Sequence, residues 1–243
     1  MATQVGGTVQ AAAQDLFSAS TVQQHNLGDK AYSGDGRTFR YVKAGASALV
    51  PGNWLQSPAV VANHVNLTPT AVFAVGATEV TVTLGATAAT ANQYSGGILV
   101  VEKGTTGAGM TYKIKSHPAA GSGATLTLTL DDAVTVATSG TVTVSLIANL
   151  YNGVIQTPVT TLTGTPVGVA ATAIAAGSFG WIVSKGLTGA LADGAITVGT
   201  VGCAVPSAAA GAAKVMAATL FEVGTFSKTS IDTQITPCFV NID

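Results

Sequence analysis

Apolar and polar residues alternate through the middle of the chain. The alternation is strict in EVTVTLG (79–85), and GMTYKIKS (109–116), GATLTLTLDD (123–132) and GTVTVSLI (140–147) show it too, while GGILVVEKG (96–104) predicts a strand that ends in a turn. Because successive side chains of a strand point to opposite faces, this pattern predicts strands with one buried face and one threonine-rich face. The strands are closely spaced, with glycine or aspartate turns between them. This spacing predicts a β-sandwich or barrel and not a βαβ arrangement.

Upstream of these strands, KAYSGDGRTFRYVKAG (30–45) predicts a strand, a turn and a second strand. The Asp35-Gly36 pair is a hairpin signal, because such turns need a positive φ, which glycine adopts without strain. A phosphate-binding loop would instead require GxxxxGK[ST] between a strand and a helix. The flanks here are strand-like and no Lys-Ser/Thr follows, so we interpret the segment as a turn.

The remainder of the chain is richer in alanine, glycine and proline. Within it, VPSAAAGAAKVMAATLFEVG (205–224) is the one stretch with plausible helical content, although a loop leading into a strand near 217–223 is the alternative. The sequence therefore predicts an all-β protein made of β-sandwich or barrel modules with an extended N-terminal arm. The expected divisions are an arm (1–27), a first β-module (28–150), a connector (151–166) and a second β-module (167–243).

The amino-acid composition indicates that the protein associates with other protein chains. Hydrophobic residues make up 47% of the 243-residue chain, yet only 9% are charged, against roughly 25% in ordinary globular domains. A surface of threonine, serine, alanine and glycine is easily desolvated and loses little side-chain entropy on burial. We expect much of it to be covered by other protein chains. The alternative is a soluble domain with an uncharged surface.

Charge and hydropathy exclude several kinds of partner. The formal net charge is −1, whereas nucleic-acid binding requires a strongly basic face. No uninterrupted apolar stretch reaches membrane-spanning length. The N-terminal MATQVGGTVQAAAQDLF (1–17) lacks a basic segment followed by an apolar run. We therefore expect assembly in the cytoplasm, with neither nucleic acid nor membrane as a partner.

Residues with catalytic or metal-binding potential are sparse. His25, His64 and His117 are scattered and form no HxH or HExxH spacing. Cys203 and Cys238 belong to no CxxC motif, and we expect two reduced, buried thiols. The carboxylates mostly occupy turns, where aspartate bonds its own backbone. The sequence predicts no cofactor, no metal and no enzymatic activity.

Basic residues gather in the predicted hairpin. Lys30, Arg37, Arg40 and Lys43 are four of the 10 basic residues, and they include both arginines. They are candidates for docking onto acidic neighbours, since arginine makes bidentate contacts with carboxylates. Alternatively, they guard a solvated strand edge against aggregation. The two interpretations are compatible, and both remain open at this point.

Three segments resemble a group of structural proteins from tailed bacteriophages: LGDKAYSGDGRTFRYVKAGASALVPGNW (27–54), LGATAATANQYSGGILVVEKGTTGAGMTYKIKSHPAA (84–120) and PVGVAATAIAAGSFGWIVSKG (166–186). The resemblance extends from about residue 27 to the C-terminus and carries no active-site residues. It implies a virion component. With the predicted fold, it suggests a decoration (cement) protein on the capsid exterior, a homotrimer that bridges major capsid protein subunits.

Two other functions stay open. A tail component, such as a tube, baseplate or fibre subunit, is the main alternative. A polysaccharide-acting enzyme on a β-scaffold would require a cleft with two apposed carboxylates.

Overall fold

The computed structural model describes residues 8–9, 15–198, 203–217 and 220–243. Their regular secondary structure is almost entirely β-strand, with 3₁₀ turns at Asp15–Phe17 and Ala62–His64. The predicted all-β class is therefore confirmed. The strands, in chain order, are β1 (Thr8–Val9), β2 (Ala19–Ser20), β3 (Lys30–Tyr32), β4 (Thr38–Ala44), β5 (Trp54–Gln56), β6 (Thr68–Pro69), β7 (Glu79–Thr83), β8 (Ile98–Lys103), β9 (Thr111–Ser116), β10 (Thr125–Leu130), β11 (Thr143–Ile147), β12 (Asn152–Gln156), β13 (Pro166–Ala170), β14 (Phe179–Leu191), β15 (Cys203–Val205), β16 (Lys214–Val215), β17 (Phe221–Phe226) and β18 (Ile235–Asn241).

The chain divides into two compact units. Residues 60–149 form the first, here called the inserted unit, and the described residues on either side of this stretch together form the flanking unit. The predicted boundaries differ from this division, because 28–59 belong to the flanking unit and not with the strands that follow them. Hydrophobic alternation locates strands but does not indicate which distant strands share a core.

The inserted unit is one antiparallel sheet in the order β11-β8-β9-β10-β7-β6. Its two ends meet where Leu67 and Val144 exchange backbone hydrogen bonds of 2.7 and 2.9 Å. The predicted alternation is confirmed on β9, where Tyr112 and Ile114 are buried while the lysines beside them are exposed. The inward residues form one core. The outward face of β7 and β10 carries threonines that oppose one another across the strands.

The flanking unit contains a closed five-stranded barrel in the order β4-β12-β5-β13-β14. Pairing of β14 with β4, from Phe179↔Lys43 to Lys185↔Thr38, closes it. The pairing of β12 with β4 is parallel, whereas the other barrel pairings are antiparallel. Each of the five strands contributes to one buried cluster, which is therefore the barrel interior. These contributions include Val42, Leu55, Val154, Val167 and Ile182.

Beyond the barrel, β14 continues into a second sheet. Its C-terminal half pairs with β18, and the sheet continues in the order β18-β17-β15-β16. A separate buried cluster lines one side of this sheet and includes Trp54, Cys203, Phe226 and Cys238. On β18 the burial alternates through all seven residues. This last strand of the chain pairs on both sides, with β14 and with β17.

Several predictions of local structure need correction. The predicted connector (151–166) contains β12, a barrel strand. Its sequence NGVIQ buries only Val154 fully, so it lacks the alternation that marks a strand. Among the described residues of 205–224 there is no helix. The alternative interpretation matches better, because the chain there forms β16 and enters β17.

The N-terminal arm is only partly described, because residues 1–7 and 10–14 of the predicted arm (1–27) lie outside the described residues. Within the rest, β1 pairs in parallel with β3, and β2 pairs with the start of β14. Leu16 is fully buried in a cluster with Phe39 and Trp181. From residue 15 onward the arm is therefore held by the flanking unit of its own chain.

Candidate functional site

The predicted hairpin is present and brings two of its four basic residues together. Strands β3 and β4 pair with Lys30 opposite Arg40, and Gly36 occupies the turn with φ +85°. Side chains directly opposite on paired strands are neighbours. Both cations reach the carboxylate of Asp243, just past β18, and this assembly is called the Asp243 cluster below.

Arg40 is fully engaged within this cluster. Its Nε donates to Asp243 Oδ2 at 2.8 Å, and its terminal nitrogens donate to Asp243 Oδ1 at 2.5 Å and to the Gly28 carbonyl at 2.8 Å. The guanidinium carbon also lies 5.6 Å from the centre of the Tyr151 ring. Such a bidentate arginine–carboxylate contact fixes both partners. Arg40 consequently has little capacity left to bind another protein.

The carboxylate of Asp243 is held in its charged form. Lys30 Nζ lies 3.2 Å from Oδ2, to which Ser184 Oγ donates at 3.1 Å. Burial would raise the pKa of Asp243, but the hydrogen bonds from Arg40 and Lys30 outweigh it and leave this pKa below its usual range. Burial likewise opposes the charge on Arg40, but the interactions with Asp243 and neighbouring groups raise the pKa of Arg40. The cluster therefore ties the hairpin to the end of β18.

Arg37 forms a separate contact at the hairpin tip. Its guanidinium donates to Asp35 at 2.8 Å and lies 5.3 and 5.4 Å from the ring centres of Phe17 and Phe39. Hydrogen bonds from Arg37 and Ser33 hold the pKa of Asp35 well below its usual range. Arg37 is thus compensated locally, by an exposed carboxylate whose hydrogen bonds in the described structure come from hairpin residues.

Lys43, at the other end of β4, has no carboxylate within ion-pair distance among the residues that the structure describes. Its Nζ lies 5.6 Å from the centre of the Phe179 ring. Phe179 stacks on Tyr41, which in turn meets Trp181 edge-on. Lys43 is therefore a cation at the rim of an aromatic cluster.

The structure consequently does not join the four basic residues into one patch. Lys30 and Arg40 meet at Asp243, whereas Arg37 and Lys43 lie at opposite ends of β4. Sequence reasoning missed Asp243, which is 203 residues from Arg40. A carboxylate near the end of a strand gives no local signal of such a distant partner.

Two of the histidines and both cysteines are buried. His64 and His117 are buried; His64 Nδ1 meets the hydroxyl of Tyr94, and His117 Nε2 accepts from the Tyr94 backbone N–H at 3.0 Å. Burial raises the pKa of Tyr94 to about 12. The Sγ atoms of Cys203 and Cys238 lie 3.8 Å apart in the core. The adjacent Cys203 and burial raise the pKa of the Cys238 thiol, which favours its neutral form.

A second surface feature lies on the outer face of β14, β17 and β18. It is a shallow depression of about 490 Å³ lined by Lys185, Glu222, Gly224, Thr225, Phe239 and Asn241. Gly224 permits close strand contact there, since a Cβ would lie 2.2 Å from the Phe239 carbonyl oxygen. We call this surface, together with its neighbour Leu187, the Phe239 face.

Neither a metal centre nor a membrane-spanning helix is found in the described part of the chain. It contains no group of three or more histidine, cysteine or acidic side chains that could hold an ion. Its helical segments are too short to cross a bilayer. No family model matches the chain, and no similar curated protein or solved structure was found. A functional proposal therefore depends on the sequence and on these surfaces.

Proposed function

We propose that this chain is a non-enzymatic decoration protein of a tailed-bacteriophage capsid. It would bind the outer surface of the major capsid protein lattice, stabilise the head and associate with copies of itself. The observation that carries the proposal is a charge-poor β-protein, 9% charged, whose inserted unit presents paired threonines such as Thr83 and Thr125. The resemblance of three segments to tailed-phage structural proteins supplies the context.

The physical mechanism is preferential binding to the assembled shell. A protein that binds only the assembled lattice stabilises that state by mass action. Each contact can be modest, because many copies act on one lattice and linked contacts raise the effective concentration. Neutral threonine faces suit this role, since little charge must be desolvated when they are covered.

In this proposal the hairpin helps to dock the chain onto the capsid through its two cations outside the Asp243 cluster, Arg37 and Lys43. Lys43 lies against an aromatic ring without a carboxylate within ion-pair distance in the described residues, and Arg37 is paired only with exposed Asp35. Contact with an acidic capsid surface would engage both. Arg40 is a poor choice for mutation, because its loss would release the hairpin from Asp243. Weaker capsid binding by such a variant could then result from lower stability of the fold.

Sedimentation with purified phage heads tests the proposal. We expect the wild-type chain to cosediment with heads stripped of decoration protein and to increase their resistance to heat. Combined Arg37→Ala and Lys43→Ala substitutions should weaken binding about tenfold or more, because each removes a charge-assisted contact. Lys103→Ala with Lys115→Ala, in the inserted unit, changes the net charge equally and should bind as wild type does.

Each outcome separates one part of the proposal. Equal binding by the two double variants would show that Arg37 and Lys43 do not take part in docking. The hairpin cations would then only protect a strand edge against aggregation. Labelling of intact particles on the tail would favour the tail-component alternative. Heads that neither bind the chain nor gain heat resistance would overturn the decoration role.

A further inference from the structure

The Phe239 face is apolar at its centre. Leu187 and Phe239 are register partners on β14 and β18, and their side chains are 54% and 47% exposed. Ile235, further along β18, is 55% exposed. Large apolar side chains left in water at adjacent positions mark interaction surfaces. The face therefore favours coverage by another surface.

Two opposite charges lie at one end of this apolar centre, on the strands either side of β18. Both lie toward the Asn241 end of β18, Lys185 on β14 opposite Asn241 and Glu222 across β18 on β17. Within the described ranges, neither charged side chain has an oppositely charged group within ion-pair distance. The face thus carries one unpaired positive and one unpaired negative group beside a shared hydrophobic pair.

We propose that the Phe239 face is the contact between two copies of this chain, related by a two-fold axis near Phe239. An axis along β18 would stack Phe239 of one copy on Phe239 of the other and place Lys185 of each copy against Glu222 of the other. An isologous contact of this kind makes every pairing twice. It gives a dimer, in contrast to the homotrimer expected from the resemblance.

Charge complementarity favours a second copy over an unrelated partner. A purely acidic or basic partner would match one of the two charges and leave the other desolvated without compensation, which is costly. A second copy compensates both. Its net charge of −1 also adds little repulsion between copies. This inference rests on the self-association within the proposed function, but it requires no phage particle.

Charge reversal on the full chain tests the arrangement by light scattering and sedimentation. We expect wild-type protein to have twice the chain mass of 24.0 kDa. Lys185→Glu alone and Glu222→Lys alone should each raise the dimer dissociation constant about a hundredfold, because like charges then face each other twice. A mixture of these two variants should form heterodimers, since the reversed charges are complementary across the axis.

Matched variants isolate the face. Phe239→Ser should weaken the dimer, whereas Val75→Ser and Lys115→Glu, at exposed positions of the inserted unit, should not. Circular dichroism checks that each variant is folded. A monomeric or trimeric wild type, or a mixture of the reversed variants that associates no better than each alone, would overturn the two-fold contact. Head binding is measured separately, so failure here is distinguishable from failure of the decoration role.

Discussion

The inserted unit and the flanking unit use the same residue types in two different ways. In the inserted unit, β7 to β11 follow one another within one continuous stretch and pair antiparallel. In the flanking unit, β14 pairs with β2, β4, β13 and β18, so strands far apart in sequence meet. The first arrangement is dominated by contacts within one segment of the chain. The second cannot be completed until both ends of the chain are present.

Their buried clusters are separate as well. One core contains only residues of the inserted unit, and the other three contain only residues of the flanking unit. Hydrophobic burial is the dominant favourable contribution to folding. Two units with separate cores should therefore respond independently to a cavity placed in either one.

Matched cavity variants give the largest expected effect. Leu126 in the inserted unit and Leu55 in the barrel are both fully buried, so each Leu→Ala change should cost about 2–5 kcal/mol of unfolding free energy. Both tryptophans, Trp54 and Trp181, lie in the flanking unit. Leu55→Ala should lower the denaturant midpoint of tryptophan fluorescence, whereas Leu126→Ala should leave it unchanged.

Hydrogen exchange followed by mass spectrometry provides the complementary measurement. Leu126→Ala should accelerate exchange within 60–149 and spare the barrel strands, with the reverse pattern for Leu55→Ala. Equal displacement of the fluorescence midpoint by both variants would show that the units unfold together, despite their separate cores.

The same difference explains how much of the fold was predictable from sequence. Strands β7, β9, β10 and β11 were predicted because each lies in a segment that alternates over five or more residues, and β8 because its apolar run ends at a turn. The barrel strands β5 and β12 were not, because they bury residues without regular alternation. Closure of β14 onto β4 depends on pairing over more than 130 residues, for which period-two patterning contains no information.

The candidate surfaces were predictable to a smaller extent. Four clustered cations made the hairpin conspicuous, and its Asp35-Gly36 turn was predicted correctly. Their division into a structural cluster and two outlying cations depends on Asp243, whose role is set by tertiary structure. The Phe239 face was also missed, because the alternation in β18 identifies an outward Phe239 but not its neighbours across β14 and β17.

The Asp243 cluster should produce the intermediate effect. The side chain of Asp243 is 16% exposed and contacts two cations, so Asp243→Asn should cost about 1–2 kcal/mol of unfolding free energy. Within the described residues, Asp131 of the inserted unit forms an ion pair with one cation, Lys113, whose side chain is 47% exposed. Asp131→Asn should therefore cost about 0.5 kcal/mol or less. Urea unfolding monitored by circular dichroism compares the two variants.

A similar loss in both variants would mean that the cluster contributes no more than an ordinary surface ion pair. Arg40→Lys sharpens this test, because lysine keeps the charge but not the bidentate geometry. Arg40→Lys should lower the unfolding free energy, but by less than Asp243→Asn does. Lys113→Arg serves as the matched change in the inserted unit and should be nearly neutral.

Acid should remove the contribution of the cluster and thus give the smallest effect. The pKa of Asp243 is lowered in the folded state, against about 3.9 for an unfolded aspartate. The unfolded state therefore binds the proton first as the pH falls, and the stabilisation declines below about pH 5. Thermal unfolding of wild type and Asp243→Asn should show a constant difference in Tm from pH 6 to 8. This difference should narrow toward pH 3, as protonation of Asp243 removes the interaction. A difference that persists unchanged in acid would show that the carboxylate acts through packing and not through its charge.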